Sequence, residues 1–552
     1  MTIQGKIKLA IKDALGALGL PTGDFLLEHP ADLNLGDYAS NVAMVFGKKH
    51  NRLPKDLASD IIKQLYLNNY DWLEKAEVAG PGFINIFLTK KFLTETVVDL
   101  QTGELGLVDF GTGQKAIVEY SSPNIAKPFS IGHLRSTIIG AAIANLLEVS
   151  GYKIIRHNYL GDWGTQFGKM IVAIKKWGDL SAIEKSAEPV KELVALYVRF
   201  HEEAEKDKDL DDEARSWFTK LEQGNEEAVE IWQKCIALSK VDFTKIYQRL
   251  GVEFDLDRGE SFLEGKTGPV LVEIKKSGFV HESEGATLFF FPEDSLPPMM
   301  LAKKDGSSLY ALRDLASDFG RQSEFAPDLI INEAGSEQKL HFEQVIEAER
   351  LLGWFRPGQR VHIGHGLYRF AEGKMSTRKG NVIWLEEVLD EVVKRASEFN
   401  PDSAEAVGIG ALKYNDLKRD SKLDITFDWD DVLNLKGNSG PYLQYTVARA
   451  KAILDKSDKN PAIGNSLVGT DLELSRWLYR FPEVVERSAR EYAPHQLCTY
   501  LYELASTFNA FYAQEKIVGG EGEESKLALV SATANILAKG LDLLGIAVPE
   551  KM

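Results

Sequence analysis

Residues 119–140, EYSSPNIAKPFSIGHLRSTIIG, combine a strand end, a proline-broken turn and a helix start. The run AIVEY at 116–120 alternates apolar and polar residues as a strand does, and apolar residues recur at helical spacing after His133. The Gly132-His133 pair therefore falls at a helix N-terminus, where unpaired backbone N–H groups attract an anion. This arrangement predicts a nucleotide phosphate site, although a Gly-His pair also occurs at ordinary helix starts.

A second segment, GKMSTRKG at 373–380, places Lys374, Arg378 and Lys379 on a glycine-bounded loop. Cations on such a loop suit a polyphosphate leaving group, because charge that develops on departing pyrophosphate needs donors in the transition state. A solvated basic turn is the ordinary explanation of such a run. The presence of the Gly-His segment favours the phosphate interpretation.

Together the two segments resemble the HIGH and KMSK signatures of class I aminoacyl-tRNA synthetases, and within that class the chain resembles the arginyl-tRNA synthetases. Any one motif would be a weak signal, whereas several in the order of one family are specific. The matching strings are SSPNIAKPF at 121–129, GHLRSTIIG at 132–140, NYLGDWGTQFG at 158–168, LYALRDLA at 309–316 and GPYLQYTVAR at 440–449.

The literal string HIGH occurs at 362–365, but no helical pattern follows it, so we expect a strand there that leads into the 373–380 segment. The working copy is 130–133, where Ser130 stands in place of the family's first histidine, and Thr377 replaces the second lysine of KMSK. The resemblance implies that Lys127 supplies the missing charge, although a surface lysine before a proline is the alternative. The implied catalytic group is Lys127, Ser130, Gly132, His133, Lys374, Met375 and Ser376.

An arginine site must hold a planar cation, and the matched partner is a carboxylate that accepts two parallel hydrogen bonds. Asp314 lies four residues after Tyr310, so on a helix both side chains share one face. Glu119 either adds negative charge to this site or faces water. The resemblance implies that the arginine side chain meets Tyr310, Asp314 and Gln338, and that its α-amino and carboxylate end meets Ser122, Pro123, Asn124 and His133.

The resemblance and the pattern of strands and helices indicate three domains. We expect residues 1–108 to form an α+β N-terminal domain, and the resemblance implies that it contacts tRNA. Residues 109–399 form an α/β catalytic domain with a doubly wound, Rossmann-like parallel sheet, interrupted by a helical insertion at about 178–257. We expect residues 400–552 to form an all-helical domain, and the resemblance implies that it binds the anticodon.

Candidate tRNA contacts are aromatic, amide and guanidinium groups, which can stack on or hydrogen-bond to splayed bases. The resemblance implies that Phe83 and Asn85 meet the outer corner of tRNA, while a core position for Phe83 is equally open. It also implies that Tyr442, Arg449 and Met552 lie near the anticodon.

The net charge of −17 argues against a general nucleic-acid coat protein, but it permits a selective tRNA binder with local basic faces. The two cysteines are far apart, which indicates neither a disulfide framework nor a cysteine zinc site and fits a cytoplasmic protein. The acidic tract at 201–215 lacks the spacing of a metal loop, so we expect a solvated helix face and no protein metal site. We expect no membrane span and no targeting peptide.

The resulting hypothesis is a two-step acyl transfer in which arginine attacks the α-phosphate of ATP and tRNA(Arg) then attacks the adenylate. ATP is a substrate, Mg²⁺ is expected with it, and the family implies a monomer. Two alternatives stay open. One is a nucleotidyltransferase that uses the same helix start, and the other is a catalytically silent relative that binds tRNA or a protein, motivated by Ser130 and Thr377.

Overall fold

A computed structural model describes residues 1–304, 308–369, 383–398, 400–434, 437–464 and 467–552. The chain divides into two compact units. The first consists of Met1–Asp109, Leu435–Leu543 and Ala547–Met552, and the second of Phe110–Asn434 and Leu544–Ile546.

The N-terminal part of the first unit packs helices against an antiparallel sheet. Its elements are α1 (Ile3–Ala17), β1 (Leu27–Glu28), β2 (Tyr38–Ser40), α2 (Val42–Lys49), α3 (Pro54–Leu67), β3 (Leu73–Ala79), β4 (Phe83–Leu88) and α4 (Lys90–Gln101). Its strands pair in the order β1-β2-β4-β3. In α1, Ile7, Ile11 and Leu15 are fully buried because their four-residue spacing brings them to one side of the helix.

The second unit holds the larger parallel sheet. Its elements are β5 (Lys115–Glu119), α5 (Ile131–Val149), β6 (Lys153–Asn158), α6 (Thr165–Trp177), α7 (Leu180–Ile183), α8 (Pro189–Lys206), α9 (Asp209–Glu222), α10 (Glu226–Leu250), β7 (Leu256–Asp257), α11 (Thr267–Lys275), β8 (Val280–Ser283), β9 (Ala286–Phe289), β10 (Met299–Ala302), α12 (Tyr310–Phe325), β11 (Leu329–Gly335), α13 (Lys339–Leu351), β12 (Arg360–His365), β13 (Tyr368–Arg369), α14 (Leu385–Ser397), α15 (Ala404–Leu417), β14 (Ile425–Thr426) and α16 (Trp429–Val432).

Strands of the larger sheet pair in the order β12-β11-β5-β6-β7, and every pairing is parallel. The predicted α/β class with a doubly wound sheet is therefore confirmed. Ile117 and Ile330, on the central strands, are fully buried, as expected for a sheet covered on both faces. The loops that follow β5, β6 and β11 meet at the carboxyl edge, where such sheets bind ligands. The expected helical insertion is present as α7 to α10, between β6 and β7.

The C-terminal part of the first unit is helical, as predicted. Its helices are α17 (Gly440–Asp455), α18 (Gly469–Leu478), α19 (Phe481–Arg490), α20 (Pro494–Gln514) and α21 (Glu523–Leu543). It shares a core with the N-terminal part, because Tyr479 packs among the apolar residues of that domain. Buried polar contacts reinforce the junction: Asp37 lies 3.1 Å from Arg476, and the Tyr38 hydroxyl donates to Glu483. In the described part of the chain, no helix combines the length and apolarity needed to cross a membrane.

Candidate active site

The loop between β5 and α5 has an unusual backbone. Ser121, Ser122 and Ala126 have φ values of 70°, 47° and 53°, in the left-handed region that non-glycine residues rarely adopt. Buried hydrogen bonds hold this conformation: the Ser121 N–H donates to Ser136 Oγ over 2.9 Å, and the Ala126 N–H donates to Ser239 Oγ over 3.0 Å. Each such residue costs of order 1–3 kcal/mol, and residues of this kind cluster at ligand sites.

Asn124 is fixed against the loop that follows β6. Backbone bonds of 3.1 Å run from the Ile125 N–H to the Gly161 carbonyl and from the Gly161 N–H to the Pro123 carbonyl. A Cβ at residue 161 would collide with the Asn124 amide, so only glycine fits there. Asn124 and Pro123, both predicted arginine contacts, are therefore held at the carboxyl edge between two neighbouring strands.

Ser130 and His133 interact at the start of α5. The Ser130 N–H donates to His133 Nδ1 over 3.1 Å, and Ser130 Oγ lies 3.2 Å from the same atom. Because Nδ1 accepts, the neutral ring carries its proton on Nε2, which remains a donor. Burial, together with the charges of His365 and Lys127, lowers the pKa of His133 to about 4. Gly132 is exposed, and a Cβ there would meet only Ser130 Oγ at 3.5 Å, which leaves space for a ligand.

The predicted phosphate-binding residues Lys374, Met375 and Ser376 lie outside the described residues. The chain that follows them is tied to the helix start of α5. The Ile131 N–H donates to the Ile383 carbonyl over 3.2 Å, and the Leu385 N–H donates to the Phe129 carbonyl over 2.9 Å. The described residues after the segment therefore border the Gly132-His133 pair.

A buried cluster connects α5 to the strand before that segment. Arg135, 1% exposed, donates to Asp416 Oδ1 over 3.2 Å and to the Leu423 carbonyl over 2.7 Å. The Tyr368 hydroxyl on β13 donates to Asp416 Oδ2 over 2.6 Å. Asp416 therefore joins the helix that carries His133 to the strand that ends at residue 369.

The literal HIGH string forms β12, so the predicted strand is confirmed. His365 Nδ1 lies 2.7 Å from Glu333 Oε1, and the charge of Glu333 raises the pKa of His365 although burial opposes it. His362 stacks on Phe342 with ring centroids 4.4 Å apart. These two histidines contact the neighbouring strand and helix. The predicted phosphate site is instead at the start of α5.

Asp314, the predicted partner of the arginine side chain, lies on α12 and faces α13. Its Oδ2 is 2.5 Å from Nε2 of His341. Burial raises the pKa of Asp314, and the hydrogen bond to Asp314 raises the pKa of His341 although burial opposes it. Tyr310 shares the helix, as predicted, but is 70% exposed, and Gln338 is exposed as well. Sequence reasoning missed His341, because a contact between separate helices leaves no periodic signal.

Glu260 is a second carboxylate that is influenced by the charge of Asp314, and it lines a cavity together with Tyr310 and Arg313. Burial raises its pKa to about 7, the charges of Asp314 and Asp162 act in the same direction, and Arg313 and Lys127 oppose them. Asp162 is held by Ser261, whose N–H donates to Asp162 Oδ1 over 2.8 Å. Sequence reasoning missed Glu260, although an acidic residue shortly after a strand of a parallel sheet was an available signal.

Glu119 does not face water, which corrects one of the two sequence expectations. Arg321 donates to Glu119 Oε2, and the Asn332 amide donates to Oε1 over 2.8 Å. Although burial acts in the opposite direction, the charges of Arg321 and His157 hold the pKa of Glu119 well below its usual range. The negative charge of Glu119 is therefore matched inside the protein.

The ion pair of Glu119 continues into a buried network. Arg321 donates to Asp318 Oδ1 over 2.8 Å, and Arg360 donates to Asp318 Oδ2 and, over 2.7 Å, to Glu349 Oε2. Asp318, Arg360 and Glu349 are all buried. Alternating charges of this kind fix α12 and α13 to the sheet beneath the pocket.

The predicted outer-corner residues lie on β4. Ile84 and Ile86 belong to the core, and Phe83 and Asn85 alternate with them, so they lie on the opposite face of the sheet. Phe83 is half-buried, and Phe87 lies on the same face, beyond Asn85 along the strand. The core position that was equally open for Phe83 is therefore wrong. Asn85 is only 4% exposed.

The predicted anticodon residues lie on α17 and share a partner on α20. Asn509 Nδ2 donates to the Tyr442 hydroxyl over 2.9 Å, and Arg449 donates to Asn509 Oδ1 over 2.5 Å. The Arg449 guanidinium lies over the rings of Tyr445 and Tyr512, which are 44% and 42% exposed. Sequence reasoning missed these three partners. Met552, the last residue, is partly exposed.

Family models match successive parts of the chain. A model described as tRNA synthetases class I (R), catalytic domain, matches 97–429, one described as DALR anticodon binding domain matches 443–552, and one described as Arginyl tRNA synthetase N terminal domain matches 2–88. With the parallel sheet and the Gly-His helix start at its carboxyl edge, these matches define a class I aminoacyl-tRNA synthetase.

Individual relatives narrow the class. Proteins named arginine–tRNA ligase from Clostridium kluyveri and Enterococcus faecalis are 40% identical to this chain, each covering 96% of it and 96% and 95% of their own lengths. The arginyl-tRNA synthetases of Plasmodium falciparum and Thermus thermophilus superpose with a TM-score of 0.85 over both full chains, at 26% and 25% identity. The chain belongs to the arginyl-tRNA synthetase family.

Proposed function

We propose that this chain joins arginine to ATP as arginyl-adenylate and then transfers the arginyl group to the 3′ end of tRNA(Arg). The observation that carries the proposal is Lys127, whose charge acts both on His133 at the start of α5 and on Glu260 in the carboxylate pocket. The charge of Lys127 therefore acts on the helix start proposed to bind phosphate and on the carboxylate proposed to bind the guanidinium. Family membership removes the nucleotidyltransferase alternative.

In the first step, an oxygen of the arginine carboxylate attacks the α-phosphorus of ATP in line, and the bond to pyrophosphate breaks. His133 donates its Nε2–H to a phosphate oxygen, and the free N–H groups of α5 add their dipole. Ser130 fixes the ring, and Gly132 leaves room for the nucleotide. Lys127 carries the positive charge that the absent first histidine does not supply. Lys374, Met375 and Ser376 complete the proposed catalytic set, at the leaving pyrophosphate.

Arginine recognition needs acceptors for a flat cation. Asp314 and Glu260 supply two carboxylates, which match the charge and the fork of N–H donors. The exposed side chains of Tyr310 and Gln338 would close over the ligand. Lysine lacks the fork of donors and citrulline lacks the charge, so neither would satisfy both carboxylates as arginine does. Ser122, Pro123, Asn124 and His133 would hold the α-amino and carboxylate end.

In the second step, the terminal adenosine of tRNA attacks the carbonyl of the adenylate and AMP leaves. The domain division at 1–108, 109–399 and 400–552 belongs to this proposal. The outer corner of the tRNA would lie on the β4 face of Phe83 and Asn85. The anticodon would lie on Tyr442, Arg449 and Met552, because exposed aromatic rings beside a guanidinium stack on bases.

Mg²⁺ would accompany ATP. Among the described residues, no group of three or more His, Cys, Asp or Glu side chains could hold a metal. In the proposed reaction, phosphate oxygens and water would supply most of the ligands of Mg²⁺. A cytoplasmic monomer is likewise part of the proposal.

The decisive experiment measures exchange of labelled pyrophosphate into ATP with each amino acid in turn, with and without total tRNA. Arginine alone among the amino acids should support exchange. A silent tRNA-binding relative would give none even with tRNA present.

Two variants assign the roles. Asp314→Asn should abolish arginine affinity and leave tRNA binding intact, whereas Lys127→Ala should lower kcat more than it raises KM, because its charge acts in the transition state. Normal charging by Asp314→Asn would remove the pocket assignment, and a pure KM effect of Lys127→Ala would make Lys127 a binding residue.

A further inference from the structure

One face of α10 lies against the loops that carry the proposed substrate contacts. Ser239, Phe243 and Tyr247 follow one another at four-residue spacing, so their side chains share one side of the helix. All three side chains are buried. α10 belongs to the helical insertion between β6 and β7, and the sequence motifs of the adenylation site all lie outside that insertion.

Two hydroxyl groups of α10 hold the loop between β5 and α5. Ser239 Oγ accepts the Ala126 N–H over 3.0 Å, and the Tyr247 hydroxyl lies 2.8 Å from Ser121 Oγ. Ser121 and Ala126 both have left-handed backbone conformations, and they bracket the segment 122–124. The two hydroxyls therefore fix both ends of the segment that we propose to bind the α-amino and carboxylate end of arginine.

Aromatic rings of the same helix face support the proposed phosphate donor. Phe243 and Tyr247 pack against Phe129, with ring centroids 5.3 and 5.6 Å away. Phe129 is fully buried and stacks on the imidazole of His133, with ring centroids 5.1 Å apart. The direction of the His133 ring therefore depends on the packing of Phe129 against α10, in addition to the hydrogen bond that Nδ1 accepts.

The two kinds of contact can be removed separately. Ser239 and Tyr247 act on the loop through hydroxyl groups, and removal of either hydroxyl keeps the aromatic packing around Phe129. Phe243 acts only through its ring, and removal of that ring keeps both hydroxyls. A single helix face thus meets the arginine segment and the phosphate donor through different side chains.

We propose that α10 positions both halves of the adenylation site. Ser239 and Tyr247 set the arginine-binding segment, and Phe243 sets His133 through Phe129. These three are positioning residues, because each acts through a residue of the site. The inference rests on the proposed function and deepens it, because it gives the helical insertion a role in the first step of the reaction.

The test measures arginine KM, ATP KM and kcat in tRNA-supported pyrophosphate exchange, together with the melting temperature of each full-length variant. In Ser239→Ala and in Tyr247→Phe the arginine KM should rise about 3- to 10-fold, the effect of one lost hydrogen bond. The kcat and the ATP KM of both variants should stay within about twofold of wild type.

Phe243→Leu should give the opposite division. Its kcat should fall about 3- to 30-fold, because a displaced His133 meets the phosphate less well, while its arginine KM stays within about twofold of wild type. Phe243→Met is measured beside it, so that the result does not depend on the folding of one variant. All assays are run well below the melting temperature of each variant.

Two controls separate positioning from stability. Thr244→Ala, on the same helix, removes an exposed hydroxyl that donates to the Lys240 carbonyl and should change nothing. Tyr500→Phe removes a buried hydroxyl that donates to the Trp477 carbonyl over 3.0 Å in the other unit. It should lower the melting temperature and leave arginine KM and kcat unchanged.

An unchanged arginine KM in both hydroxyl variants, or an unchanged kcat in both Phe243 variants, would overturn the inference. Equal changes of KM and kcat in every α10 variant would also overturn it, because the helix would then support the unit as a whole and not two separate halves of the site. Absence of arginine-dependent exchange in the wild type would instead overturn the proposed function.

Discussion

The backbone N–H of Ser130 donates to Nδ1 of His133, and this bond leaves Nε2 as the nitrogen of the imidazole that can donate to a ligand. Because the donor is a main-chain N–H of the helix cap, the side chain at residue 130 can vary without releasing the ring of His133. Ser130, where the family usually has histidine, therefore leaves the tautomer and direction of His133 fixed.

The first prediction compares these two residues. His133→Ala should lower kcat of pyrophosphate exchange by a factor of about 100 to 1,000, the usual cost of losing one donor to developing charge. Ser130→Ala removes a hydroxyl at 3.2 Å but keeps the N–H, so its kcat should fall by less than about tenfold. Because the pKa of His133 is about 4, the ring stays neutral from pH 6 to 9, and its titration should produce no step in kcat there. Equal losses of kcat in His133→Ala and Ser130→Ala would contradict the assignment of His133 as the phosphate donor and Ser130 as its support.

A second prediction concerns competition between His341 and the substrate for Asp314. The pKa of His341 is raised, so its ring is charged below that raised value and neutral above it. As pH falls from 8 to 6, arginine must increasingly displace a protonated ring, and the arginine KM should rise. Glu260, with a pKa of about 7, acts in the same direction because its protonation removes an acceptor.

His341→Gln should therefore make the arginine KM less dependent on pH without abolishing the dependence. Glu260→Gln in the same background should remove most of what remains. The measurement is arginine KM in exchange assays at half-unit steps of pH. Identical pH profiles for wild type and His341→Gln would show that the ring does not compete with arginine.

The limits of sequence reasoning follow from the kind of contact involved. The helix start at Gly132-His133 and the shared face of Tyr310 and Asp314 could be predicted, because both depend on spacing within one element. Glu260 and His341 could not be placed by periodicity, since His341 contacts Asp314 from another helix and Glu260 lies in a third part of the chain. Between Asp314 and His341 the chain runs through the rest of α12, through β11 and into α13. The lengths of these elements do not show which residues of α12 and α13 will meet.

The bond between Ser130 and His133 could have been predicted from a local pattern in the sequence. A serine cap with a polar side chain three residues later is the pattern of a capping box, and His133 occupies that later position. Phe83, in contrast, could not be assigned from sequence, because a strand of alternating residues does not reveal which face of its sheet is covered. Helices covering Ile84 and Ile86 decide it.

The third prediction tests the buried network beneath the pocket. Arg321→Met would leave Glu119 and Asp318 without their shared cation, which should cost about 3–5 kcal/mol of unfolding free energy. The control is Arg258→Ala on an exposed pair with Glu324, which should cost less than about 1 kcal/mol. Both values come from urea unfolding at pH 7. A small loss of unfolding free energy in Arg321→Met would show that Glu119 and Asp318 do not depend on Arg321 for charge neutralisation.

The same network predicts the response to acid. The pKa of Glu119 is depressed in the folded chain, so its stabilising contribution is complete above the unfolded pKa of about 4.3 and is lost as pH falls below it. The difference in stability between wild type and the Glu119→Gln variant should therefore narrow below about pH 4. If the stability difference between wild type and Glu119→Gln instead widened in acid, the pKa of Glu119 would be raised in the folded chain and not depressed.

A fourth prediction addresses the cluster of Arg135, Tyr368 and Asp416. Tyr368→Phe removes the 2.6 Å bond to Asp416 but keeps the ring, so it loosens the strand before residue 370 from the helix of His133. The kcat of exchange should fall about 3- to 30-fold while the arginine KM stays unchanged, because the pocket of Asp314 is not touched. Arg369→Ala, which breaks an exposed pair with Asp424, is the neighbouring control and should leave kcat near wild type. A rise in arginine KM in Tyr368→Phe would place its effect in the pocket.

The last prediction concerns Asn509, which bonds both Tyr442 and Arg449. Asn509→Ala frees both residues from their common support, so tRNA(Arg) affinity should fall about as much as in Arg449→Ala, by roughly 5- to 100-fold for a lost stacking platform. The double variant should lose little more than either single variant, since residues of one network are not additive. Filter binding at several salt concentrations measures the affinity, and Arg449→Ala should also reduce the salt dependence if the guanidinium neutralises a phosphate.

Exchange supported by saturating tRNA should be preserved in both variants, because neither residue lies in the unit of the parallel sheet. Full additivity would show that Asn509 and Arg449 contact the tRNA independently, and Asn509 would then be a binding residue in its own right.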